Sequence, residues 1–73
     1  MDSKLEKLQE IFRDVFDDNN FVLTPNYTVA NNPDWDSVAM VQILLATEAE
    51  FSIKFTTEEV ANIKSVADIL KKI

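Results

Sequence analysis

The chain has 73 residues, 47% of them hydrophobic, which bounds it to one small domain over residues 1–73 without room for both a core and a deep substrate cleft. It contains no Cys and no His, which excludes a disulfide framework, a thiolate zinc site and any Ser–His or Cys–His nucleophile pair. Its formal charge of -6, thirteen acids against seven bases, argues against nucleic-acid partners and suits docking onto basic patches of other proteins.

In chain order, the first element is a helix opened by Ser3-Lys4-Leu5-Glu6, a capping box in which Ser3 and Glu6 satisfy each other's backbone donors. Leu5, Leu8, Phe12, Val15 and Phe16 recur at helical spacing, with Ile11 beside them. The helix is expected to end near Asp17-Asp18-Asn19-Asn20, four residues that favour caps and turns. The start Met1-Asp2-Ser3-Lys4 lacks the charged-then-apolar layout of a leader, and no stretch approaches the roughly 20 apolar residues of a membrane span. A cytoplasmic protein without membrane association is therefore expected.

Residues 21–36 form a long connection. Pro25, Pro33 and a scatter of Asn and Thr do not suit a helix interior. A connection of this length is uncommon unless it is functional or packed by its own side chains. Phe21, Val22, Leu23, Tyr27 and Val29 are expected to pin it across the helix ends.

A second helix runs from Ser37 to about Phe51. A short helix follows Thr56, where Thr56-Thr57-Glu58-Glu59 is another capping box. The last begins at Ser65 with the same logic in Ser65-Val66-Ala67-Asp68. Val66, Ile69, Leu70 and Ile73 form its apolar face, and Lys71 and Lys72 sit where cations suit the helix dipole. No strand pattern occurs. The expected fold is all-α, a small four-helix bundle of three major helices and one short one, with a long loop between the first and second helices.

The second helix differs from the others at its start. They pair a Ser or Thr with an acid three residues on, whereas Ser37 is followed by Val38, Ala39 and Met40. Ser37 is either an ordinary N-cap or an exposed hydroxyl kept for another purpose. The helix is also too apolar for one buried face. Met40, Ile43, Leu44, Thr47 and Phe51 make a stripe suited to the core. Val38, Val41 and Leu45 make a second, roughly a third of a turn away, with Gln42 flanking it and Glu48 on its edge. Such a strip suits a partner surface. Trp35 either packs the loop against the bundle or joins the docking surface beside Ser37. No metal site is expected, because Asp17, Asp18, Asn19, Asn20, Asp34 and Asp36 lack the spacing of a calcium loop.

The run Asp36-Ser37-Val38 resembles the Asp-Ser-Leu signature of acyl carrier proteins. The likeness extends through Glu48, Glu50-Phe51, Ile53, Phe55, Thr57-Glu58-Glu59 and Ser65-Val66-Ala67-Asp68-Ile69, good over 34–73 and moderate over the first helix. The resemblance implies that the Ser37 hydroxyl is esterified by 4'-phosphopantetheine, delivered from coenzyme A by a phosphopantetheinyl transferase that supplies the base and magnesium. It implies that Asp36 helps the transferase recognise the site, and that the arm's thiol holds acyl or aminoacyl groups as thioesters. Val38, Val41, Gln42, Leu45, Glu48 and Trp35 are then the surface read by activating, transferase and synthase enzymes. The chain is expected to be a monomer and not itself an enzyme. Val38 stands where many carriers have Leu, and Pro33, Asp34 and Trp35 occupy an approach that is often Gly. Ala39, Gln42 and Ala49 stand where fatty-acid carriers have acids, so the sequence resembles stand-alone carriers of specialised pathways more. The alternative is an unmodified acidic adaptor that binds a partner helix through Val38, Val41 and Leu45.

Overall fold

The computed structural model describes residues 3–73. Among them four helices form: α1 (Ser3–Phe16), α2 (Ser37–Phe51), α3 (Thr57–Asn62) and α4 (Val66–Lys72). The all-α expectation and the four helices hold, but α4, expected as a major helix, has seven residues against six in α3, so two helices are long and two short. Within the described residues α1 is already helical at Ser3, so Ser3 does not cap it. Met1 and Asp2, part of the segment judged not to be a leader, lie outside the described residues.

α1 buries Leu8, Ile11 and Phe12, while Leu5, Val15 and Phe16 flank them half-buried. α2 packs against α1 and buries Ala39, Ile43, Leu44 and Thr47. Met40 and Phe51, expected on the same stripe, are half-buried at its two ends. The buried Thr47 hydroxyl donates to the Ile43 carbonyl at 2.7 Å, which removes the cost of hiding an unpaired polar group. Both α1 and α2 end in left-handed residues, Asp17 (φ 52) and Ser52 (φ 56). The chain has no Gly to take these positions. Asp tolerates the conformation better than Ser does, so Ser52 holds the more strained turn.

The two later helices close as their capping boxes predict. Thr56 Oγ1 accepts from Glu59 N at 3.1 Å and Glu59 Oε1 accepts from Thr56 N at 2.9 Å. Asp68 Oδ2 accepts from Lys64 N and Ser65 N at 2.9 and 3.2 Å. Lys72 Nζ reaches Glu59 at 2.9 Å and ties α4 to α3.

The long connection is held at both edges. Leu23 N donates to Gln9 Oε1 at 2.9 Å and Arg13 Nε to the Phe21 carbonyl at 2.7 Å. On the other side Thr28 and Ser65 form an isolated antiparallel bridge, flanked by Val29 N to Lys64 O at 3.0 Å and Val66 N to Tyr27 O at 2.9 Å. Phe16, Phe21, Tyr27 and Trp35 surround Phe12 with ring centroids 5.2 to 6.0 Å away. Of the residues expected to pin the loop, Val22 does not: it is exposed, because the chain turns Leu23 inward where Gln9 holds its backbone. Among the described residues no helix is long and apolar enough to cross a membrane.

Candidate functional site

Asp36 has extended backbone (φ -88, ψ -174), and its carboxylate accepts from Ala39 N at 2.9 Å. It is the N-cap of α2, and Ser37 is the first residue inside the helix. Of the two readings of Ser37, the N-cap is therefore set aside. A cap needs extended backbone and an acceptor that reaches the N–H three residues on, and Asp36 supplies both. The consequence is a free hydroxyl. Ser37 is exposed, and among the described residues its side chain makes no hydrogen bond.

The first turn of α2 carries no acid of its own, and the anion at this helix start is the Asp36 cap. α1, α3 and α4 each carry an acid in the first turn, and α2 carries none. A helix N-terminus bears roughly half a positive charge, so this end of α2 is the one without an anion in its first turn.

The second stripe of α2 faces solvent: Val38 is 65%, Val41 53% and Leu45 60% exposed. Ser37, Val38, Val41 and Gln42 line one shallow depression, and Leu45 and Glu48 border the next. Glu48 has a task of its own, since its Oε2 accepts from Phe55 N at 2.7 Å and so fixes the chain after α2. Trp35 requires a correction. It is 1% exposed and packs edge-on to Phe12 and tilted against Tyr27. A ring so enclosed packs the loop and offers no docking surface.

Beside Ser37 lies a groove of about 330 Å³. α2 contributes Ser37, Met40 and Val41, α3 contributes Val60 and Ala61, and the loop contributes Trp35. The Trp35 Nε1 atom is buried and has no hydrogen-bond partner among the described residues. Leaving such a donor unpaired costs about 1–3 kcal/mol. Composition and periodicity carry no sign of this groove, because its walls come from three separate segments. Burial, and then the nearby Asp34 carboxylate, push the Tyr27 hydroxyl above its ordinary pKa. No group of three or more potential metal ligands occurs among the described residues.

No protein-family model matches the chain. It is 31% identical over 64 residues to an acyl carrier protein of Acidothermus cellulolyticus, covering 88% of this chain and 76% of that one. It is 30% identical over 63 residues to the meromycolate extension acyl carrier protein of Mycolicibacterium aurum, covering 86% of this chain. The chain spans 65% of the length of that relative. The solution NMR structure of a holo acyl carrier protein from Geobacter metallireducens superposes with a TM-score of 0.82 at 33% identity, over 96% of this chain and 80% of that one.

Proposed function

The chain belongs to the acyl carrier protein family, and on that premise we propose that Ser37 is its working residue, esterified through its oxygen by 4'-phosphopantetheine. One observation carries this: Asp36 caps α2, which leaves the Ser37 hydroxyl exposed and unbonded among the described residues. The residues present fit the group. A phosphodiester on Ser37 sits at the positive end of the α2 dipole, where the first turn carries no acid and the Asp36 cap is the neighbouring negative charge. The groove next to it offers apolar walls for the arm.

In the attachment step the Ser37 oxygen attacks the pantetheine-bearing phosphorus of coenzyme A. A new P–O bond forms, the phosphoanhydride bond breaks, and adenosine 3',5'-bisphosphate leaves. The hydroxyl proton goes to a base of the phosphopantetheinyl transferase, which also brings the magnesium ion. The chain has no His, which suits this division of labour. Asp36 positions Ser37 by fixing where α2 begins. When bound, the group supplies a thiol that holds acyl or aminoacyl cargo as a thioester.

The chain acts as a single carrier domain and catalyses no step itself. Val38, Val41, Gln42 and Leu45 form the strip read by the transferase and by activating and synthase enzymes. Glu48 sits at its edge, and the negative charge of the whole draws basic partner surfaces toward it. Such a carrier works in the cytoplasm, where coenzyme A is available. Peptide mapping of the protein after treatment with coenzyme A and a transferase tests the assignment. The arm is expected on the peptide containing Ser37, and its discovery on Ser3, Ser52 or Ser65 would overturn it.

A further inference from the structure

We infer that the indole N–H of Trp35 donates a hydrogen bond to an amide carbonyl of the phosphopantetheine arm as the arm lies back along the groove between α2 and α3. The inference rests on the Ser37 attachment proposed above and deepens it by naming the residue that receives the arm.

The first ground is the donor itself. Buried polar groups are nearly always paired, and the buried hydroxyl of Thr47 obeys this rule. Trp35 Nε1 does not, since no partner meets it among the described residues. An orphaned donor beside an attachment point marks where an acceptor arrives. The second ground is reach. Trp35 stands two residues before Ser37, and both line the same groove. Two residues of backbone span at most about 7 Å, so a flexible arm rooted on Ser37 Oγ reaches as far as Trp35 before its thiol. The acceptors along that part of the arm are its amide carbonyls.

The third ground is the rest of the lining. Met40, Val41, Val60 and Ala61 offer no side-chain donor. Asp36 is an acceptor already engaged with Ala39 N, and Lys64 is exposed. Trp35 is thus the buried donor of the groove. Finally, the outer wall is the short helix α3, which has six residues and fully buries none of them, and admitting the arm loosens its half-buried Val60 from the core. In this arrangement the arm is shelved against the bundle until a partner on the Val38, Val41 and Leu45 strip draws it out.

The test is heteronuclear NMR on the labelled full chain before and after loading, with loading checked by intact mass. Loading is expected to move the indole N–H resonance downfield and to give nuclear Overhauser contacts between arm protons and both the indole and Val60. In loaded Trp35→Phe, which keeps a ring but loses the donor, the contacts to Val60 are expected to disappear. Should that variant fail to fold, the wild-type comparison decides alone. A complete mass gain with no arm contacts to the indole would overturn the inference and leave the Ser37 attachment standing. No mass gain at all would overturn the attachment, and the inference with it.

Discussion

At the start of α2 two adjacent side chains do different work. Asp36 spends its carboxylate on Ala39 N, and Ser37 keeps its hydroxyl unbonded among the described residues. Asp36→Ala is therefore expected to lower stability by about 1 kcal/mol, the usual value of a lost cap. Ser37→Ala is expected to stay within about 0.5 kcal/mol of the wild type, as for an exposed residue without such a role. Urea denaturation of both variants checks the pair, and the reverse order would return the cap to Ser37. Sequence alone left open whether Ser37 caps the helix, because Asp and Ser are both good caps. Which of them serves depends on the residue that adopts extended backbone, a property no composition rule reports. Glu48 shows the same limit. Its position on the edge of the outer stripe was legible, whereas its bond to Phe55 N depends on how the chain turns after Ser52.

Elements whose signals are local were the most legible. The boxes at Thr56/Glu59 and Ser65/Asp68 closed as expected because all four partners lie within one turn. They also carry a pH dependence. The Thr56 backbone N–H first, then Lys72, holds the Glu59 carboxyl below its ordinary 4.5. The Lys64 and then Ser65 backbone N–H groups hold Asp68 below its ordinary 3.8. A lowered folded pKa contributes stability that is complete above the unfolded value and lost as pH falls through the folded one. Urea midpoints are accordingly expected to drop once pH falls below about 4.5, and the Glu59→Gln/Asp68→Asn double variant should flatten that drop. The end of α2 makes a separate prediction. Ser52 holds φ 56 without being Gly, so Ser52→Gly is expected to raise stability by about 0.5–1 kcal/mol. A fall in the urea midpoint would show that the turn is not strained.

For the molecule as a whole, the helix order and the two faces of α2 could be read from periodicity, since each is a property of one segment. The course of residues 17–36 could not. It is set by contacts far apart in sequence, Gln9 to Leu23 and Tyr27 to Val66, and the groove beside Ser37 exists only once three segments have met. The sequence left Trp35 between packing and docking for the same reason, since its burial depends on Phe12 and Tyr27 closing around it. The exposed strip yields a prediction at this scale. Val41→Asp is expected to leave stability within about 0.5 kcal/mol while raising the KM for the transferase, because the strip is a meeting surface and not core. Steady-state loading kinetics measure this, and an unchanged KM would remove Val41 from the contact. The most direct test of the central claim is the intact mass of the purified protein after incubation with coenzyme A and a broad-specificity phosphopantetheinyl transferase. The account predicts a gain of one phosphopantetheine in the wild type and none in a folded Ser37→Ala. No gain on well-folded wild type with several transferases would contradict it and leave an unmodified adaptor that binds through Val38, Val41 and Leu45.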